Sequence, residues 1–214
     1  MATCYTICPP PCRKRLQVAN LECLRSDLLG ILLARATELG AVCRFGASVA
    51  DIDAEADRSL LTMENEQTFL FDLVIASDGI RSKTRTKTVG SVNVIHPVTV
   101  YSINVDREKL KQHKDLEIFL NRSGFWNFLD IPELGTWTSK NGRVVLIGDA
   151  AHAMRPFAAR GAGSSIEDSA CLAKCISRAS SIPEGTAVFE PIRSLCQWLG
   201  HLCALYLSKL NKEA

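Results

Sequence analysis

What these 214 residues lack narrows their chemistry first. No Gly-x-Gly-x-x-Gly occurs anywhere, and residues 1 to 20 hold no glycine. The glycine-rich turn that cradles the ADP half of a dinucleotide is therefore not among them. The nearest approach, Gly161-Ala162-Gly163, has Ile166 where the third glycine would stand. Charge of one sign is scarce too. A net charge of +2 argues against general polyanion binding, so nucleic acid is not an expected partner. Leu195 to Leu207 is apolar but is interrupted by Gln197, Gly200 and His201, and it is too short to span a bilayer. Nine cysteines, an odd count, come without a secretory signal, which points to free thiols in a reducing, cytoplasmic setting. Cys4, Cys8 and Cys12 are evenly spaced, yet no histidine pair follows at zinc-finger distance, and no metal is expected. His152 has no nucleophile pattern beside it and reads as structural, leaving no catalytic residue to name.

What is present is a hydrophobic content of 47%, enough for a core, and one long motif. Gly142-Arg-Val-Val-Leu-Ile-Gly-Asp-Ala-Ala-His152 continues through Pro156, Arg160-Gly-Ala-Gly163 and Ile166-Glu-Asp168. A buried strand over Val144 to Ile147 ends in Gly148-Asp149, and a polar loop feeds a helix through small residues. A carboxylate thus stands at the carboxyl end of a strand, where open α/β sheets bind ligands. The first amides of the helix starting at Gly161-Ala162-Gly163 carry partial positive charge toward the same place. A plain helix cap accounts for Asp149 but not for the run to Asp168.

Two further strings come earlier. Phe69 to Ala76 reads as a strand with a mostly continuous apolar run, suited to cover on both faces. It ends at Ser77-Asp78-Gly79-Ile80-Arg81-Ser82; Asp-Gly there is by itself only a turn signal. Leu24-Arg25-Ser26-Asp27 opens a segment with apolar residues at 28, 29, 32, 33, 36 and 39, a helical spacing with one broad apolar face. Ser26 or Asp27 can cap its start and Gly40 ends it. Arg25 then lies just before a helix. A strand over Gly40 to Phe45, a tight turn at Gly46 and a second strand over Val49 to Asp53 are expected to follow.

In this order the three strings resemble the motifs of FAD-dependent aromatic hydroxylases, the group A flavoprotein monooxygenases of the salicylate-hydroxylase type. The resemblance covers about residues 21 to 200. It implies that Gly148 and Asp149 belong to the cofactor site, with Asp149 holding a ribityl hydroxyl of the flavin, and that Gly161, Ala162 and Gly163 stabilise negative charge on its pyrimidine edge. It implies that Asp78 and Gly79 shape the flavin site and meet the pyrophosphate of the nicotinamide cofactor. It places Arg25 against the flavin's phosphate and sugar, where a planar guanidinium donates bidentately. FAD is the implied cofactor, with NADPH or NADH as reductant and an aromatic or polyketide-like small molecule as substrate.

The implied fold is α/β: a partial, glutathione-reductase-like, three-layer FAD-binding domain lacking its first βαβ unit, with a remnant antiparallel sheet of a substrate domain. Residues 1–20, with Pro9-Pro10-Pro11 and Arg13-Lys14-Arg15, are expected to be an irregular tail. Residues 21–90 and 138–180 would form the flavin domain, 91–137 a shortened substrate domain, and 181–214 C-terminal helices. Only 71 positions separate Asp78 from Asp149, short for this family. Val98 to Val105 and Phe125 to Leu129 read as substrate-domain strands, and Arg107–Leu110 with Asp115–Phe119 as its helix. Related hydroxylases often carry an arginine after the aromatic residue of the first strand; here Ser102 follows Tyr101. Arg81, Lys83, Arg85 and Lys87 form the densest basic run, either one solvated edge or a contact for dinucleotide phosphate. Without the first βαβ unit, Leu73 to Ala76 and Val144 to Ile147 are expected to lose cover, so that an oligomer or a partner would close the sheet. For the same reason the chain alone is expected to hold FAD weakly.

Overall fold

A computed structural model describes residues 25–54, 57–92, 95–98, 128–130, 133–153 and 161–210. The chain divides into two units, Met1–Ala47 and Ser48–Ala214. In the first, helix α1 spans Arg25–Glu38, so Arg25 lies within the helix rather than before it. Gly40 at φ 89° receives the chain at its end. The expected apolar face does not become a core: none of the residues of α1 is buried. Ala41 to Arg44 is not a strand either, and Gly46, at φ 68°, sits in a turn.

The second unit opens with a three-stranded antiparallel sheet, β1 (Val49–Asp53), β2 (Ser59–Met63) and β3 (Thr68–Phe71), in the order β1-β2-β3. The single strand expected over Phe69 to Ala76 is instead two. At Asp72 the chain leaves β3 and continues as β4 (Val74–Ala76), which pairs in parallel with β7 (Val144–Leu146). Asp72 marks the change of sheet because its backbone carbonyl receives the Arg143 guanidinium at 2.9 Å while its carboxylate pairs with Arg58 at 2.9 Å. Between β4 and β7 lie α2 (Lys83–Val89) and the antiparallel pair β5 (Ile95–Val98) and β6 (Phe128–Asp130). The first of these strands begins at Ile95, three residues before the expected Val98. The expected elements over residues 99 to 127, Tyr101 and Ser102 among them, lie outside the described residues.

After β7 come a single helical turn, α3 (Asp149–His152), then α4 (Gly161–Arg178) and α5 (Ile182–Leu210). Helix α5 runs unbroken through Pro191. A proline costs a helix one internal hydrogen bond, and tertiary contacts on either side outweigh it: Phe189 is wholly buried and Arg193 is held by three bonds to α4. Among the described residues no helix is long and apolar enough to cross a membrane.

The core gathers around β7. Val145, Leu146 and Ile147 pack with Ala76, Trp137, Ala151, Leu172 and Phe189, while Val144 joins Ile52 and Ala54. The expectation that Val144 to Ile147 lies uncovered is therefore corrected. The three residues of β7 are fully buried and Ile147 nearly so. Its second edge is also closed, by an antiparallel bridge from Thr138 to Val145, and Glu190 of α5 holds that segment through Thr136 and Thr138. On β4, Ala76 is buried and Ile75 remains half-exposed. On helix α4, Leu172 packs into the core and Ile176 against it, while Ile166, Ala170 and Ala173 face solvent.

Candidate functional site

Parallel pairing sets Val74 beside Val144, Ile75 beside Val145 and Ala76 beside Leu146. The loops that leave the carboxyl ends of these strands, Ser77 to Ser82 and Ile147 to Ala153, are neighbours for that reason. The Ile147 amide donates to the Ala76 carbonyl at 3.0 Å, carrying the ladder to the point where the loops begin. Two of the three motifs read from the sequence thus meet at one sheet end, where α/β folds place ligands. The third, at Arg25, belongs to the first unit.

The Asp-Gly loop is a closed turn. Gly79 has φ 79°, which a side chain would strain, and its carbonyl accepts from the Ser82 amide at 3.0 Å. Asp78 accepts from the Ser82 hydroxyl at 2.5 Å and from the Thr84 amide at 3.1 Å. Burial pushes the Asp78 carboxyl up, but these hydrogen bonds outweigh it and hold the group below its ordinary range. Ser82 in turn caps α2 by accepting from the Arg85 amide. The carboxylate of Asp78 therefore shapes its own loop.

The basic run is not one edge. Arg81, Lys83 and Lys87 are exposed, with Lys87 paired to Asp51 at 2.9 Å. Arg85 is buried and donates to the carbonyls of Ala150, at 3.0 Å, and Ile80, at 2.6 Å. Burial lowers its affinity for the proton, with the Asp78 charge working against that shift; a guanidinium stays charged regardless. Arg85 ties the Asp-Gly loop to the Gly-Asp turn.

That turn is built around glycine. Gly148 has φ 58° and ψ −143°, and a Cβ there would come within 2.8 Å of the Ser165 hydroxyl. Gly148 thus sits directly against Ser165, near the start of α4. Its carbonyl accepts from the Ala151 and His152 amides, both at 2.9 Å, closing α3. From Gly148 to Ala153, Asp149 is the single exposed residue. No partner for its carboxylate occurs among the described residues. Gly161, Ala162 and Gly163 at the start of α4 are exposed, and Gly161 and Gly163 have open space where a Cβ would stand. Arg160 lies outside the described residues.

Beneath the turn is a network that the sequence reading did not assign. Asp168 of α4, wholly buried, accepts from the Gly148 amide at 2.9 Å, from His152 Nε2 at 2.5 Å and from Arg193 Nε at 2.7 Å. Arg193 also reaches Glu167 at 3.1 Å and the Ser164 carbonyl at 3.3 Å. Burial pushes the Asp168 carboxyl up, yet His152, the Gly148 amide and Arg193 together hold it below the ordinary range. Trp137 packs against His152 with ring centroids 5.0 Å apart and the ring planes tilted by 36°. Asp168 stood at the end of the long motif and Arg193 within the expected C-terminal helices. Their pairing, 25 residues apart, needed the fold of α5 onto α4.

Residues 136–182 match the family FAD binding domain. That span holds Trp137, β7, the Gly-Asp turn and Asp168. The FAD-dependent monooxygenase OpS4 of Beauveria bassiana (strain ARSEF 2860) is 25% identical over 80% of this chain and 57% of its own length. Salicylate hydroxylase of Pseudomonas putida is 39% identical over 32% of this chain and 16% of its own length. The crystal structure of CtdE in complex with FAD and substrate 4 has a TM-score of 0.72 at 18% identity, covering 88% of this chain and 65% of that one. The chain thus spans less than two thirds of the length of each. These findings relate it to the FAD-dependent monooxygenases, enzymes of the oxidoreductase class, and its fold is the α/β fold of those flavoproteins.

Proposed function

We propose that the chain serves an FAD-dependent monooxygenase that uses NADPH or NADH and O2 to hydroxylate an aromatic or polyketide-like small molecule. The observation that carries this reading is the presentation of Asp149. It is the one exposed residue from Gly148 to Ala153, at the carboxyl end of β7, and its neighbour Gly148 packs against Ser165 near the start of α4. A carboxylate so placed accepts from a ribityl hydroxyl, and free helix-start amides favour negative charge on the flavin's pyrimidine edge. Asp78 and Gly79 bound the neighbouring loop, and Arg25 serves the phosphate and sugar region. When bound, the flavin supplies the oxygen-activating chemistry; the side chains of this chain orient it and set its electrostatics. The relatives, a salicylate hydroxylase among them, favour an aromatic substrate.

A second reading, a flavin-fold binding protein without turnover, is favoured by one observation: these 214 residues contain no Gly-x-Gly-x-x-Gly. Titration of FAD and riboflavin into the chain, followed by flavin fluorescence, tests both. We expect weak binding with FAD little better than riboflavin, because several charge-assisted hydrogen bonds to the pyrophosphate, each about 1.5–3 kcal/mol, are absent. Asp149→Ala should weaken both flavins by about tenfold or more, and unchanged affinity would remove Asp149 from the site. Substrate-dependent NAD(P)H oxidation with added FAD separates the enzyme from the binding protein.

A further inference from the structure

Asp149 can hold a hydroxyl only if its turn is rigid, and the turn has few means of rigidity of its own. Helix α3 is four residues long, too short to be stable alone. Asp168 supplies what the turn lacks. Its Oδ1 is taken by Arg193 Nε of α5 at 2.7 Å, which fixes the plane of the carboxylate. Its Oδ2 faces the turn and accepts twice, from the Gly148 amide one residue before Asp149 and from His152 Nε2 three residues after it. One buried oxygen therefore clasps both ends of the turn that presents Asp149. Arg85 holds the middle through the Ala150 carbonyl at 3.0 Å. Buried ion pairs are often replaceable by apolar side chains without loss of stability. What a buried carboxylate adds here is geometry: two directed hydrogen bonds to named atoms.

We propose that Asp168 and His152 are positioning residues for Asp149, clamping the Gly-Asp turn so that one carboxylate is held in register with the first turn of α4. The proposal rests on the reading of Asp149 as the ribityl contact. His152 contributes through Nε2 alone. Its Nδ1 is buried and has no partner among the described residues, so a side chain that keeps a donor at the ε position preserves the clamp, and one that only fills the space against Trp137 does not.

Three variants test this: Asp168→Asn, His152→Phe and His152→Gln, the last keeping an N–H donor where Nε2 stands. The first readout needs no flavin. Amide hydrogen exchange by NMR should speed up by about tenfold or more at Gly148 to His152 in Asp168→Asn and His152→Phe, the scale of one lost charge-assisted hydrogen bond. Protection in β7 and α4 should hold, and His152→Gln should stay near the parent. The second readout compares riboflavin with lumiflavin, which lacks the ribityl chain. The parent should prefer riboflavin by about tenfold. His152→Phe should lose that preference while its lumiflavin affinity is unchanged, and His152→Gln should restore it. Both flavins weakening in parallel, or exchange at the turn staying at the parent rate in Asp168→Asn and His152→Phe, would overturn the proposal. A parent chain without the riboflavin preference would sink the reading of Asp149 instead, and the exchange result would then decide the clamp by itself. Should Asp168→Asn fail to fold, the His152 pair carries the test.

Discussion

Gly148→Ala is the perturbation whose cost can be worked most directly from the structure. Gly148 has φ 58° and ψ −143°, a region that residues with a Cβ hardly populate, and holding alanine there costs about 1–3 kcal/mol. A second contribution is steric. The new Cβ would lie 2.8 Å from the Ser165 hydroxyl and 3.4 Å from its Cβ. The hydroxyl can rotate away, but it then gives up its bond to the Gly161 carbonyl, 3.0 Å long, at about 0.5–1.5 kcal/mol. The sum is about 3 kcal/mol, large against a typical net stability of about 5–15 kcal/mol. A double-mutant cycle with Ser165→Ala separates the two parts, because removing the hydroxyl leaves only the ordinary 3.4 Å contact. In that background Gly148→Ala should still cost about 2 kcal/mol. Urea midpoints of the four proteins, with the slope of the transition checked for change, supply the measurement. A single-variant cost below about 0.5 kcal/mol, or one that vanishes completely with Ser165→Ala, would refute the backbone argument.

Acid should unfold the second unit through Asp168. Its folded-state affinity for the proton is lowered, so its contribution is complete above the unfolded carboxyl value of about 3.9 and is lost as pH falls through the lower folded value. Urea midpoints measured from pH 6 down to about pH 2 should fall more steeply for the parent than for Asp168→Asn; equal slopes would mean the carboxylate is not linked to folding. Gly185→Ala should destabilise by about 1–2 kcal/mol. Its Cβ would meet the Ile176 Cα at 2.8 Å and the Ile176 backbone nitrogen at 3.1 Å, and helix backbones must part to admit it. Gly30→Ala has the opposite sign. It lies inside α1 with open space around it, so helix content by circular dichroism should rise, in line with a gain of about 0.8–1.0 kcal/mol.

How much of this was legible in the amino-acid sequence follows from how local each feature is. The run Val144 to Ile147 with Gly148-Asp149 after it, and small residues feeding a helix at Gly161, are patterns of adjacent residues; strand, turn and helix start came out where the sequence placed them. Glycine at 148 and 79 is likewise local, because positive φ is a property of one residue. Features that depend on a neighbour in space were decided only by the tertiary structure. Nothing in Phe69 to Ala76 says that the chain changes sheet at Asp72, since an apolar run looks the same whether its partner strand is β2 or β7. Arg85 reads like the lysines beside it, and only the packing of α2 against the Gly-Asp turn turns it inward to the Ala150 carbonyl. The cover over Val145 to Ile147 comes from Phe189 and from the Trp137 segment, and that over Val144 from Ile52 and Ala54. Asp168 and Arg193 are joined by the fold of α5 along α4. The sequence by itself determined which residues could make the turn. Tertiary structure decided which of them are consumed in holding it and which, Asp149 above all, stay free to meet a ligand, because a hydrogen bond needs both of its partners in place.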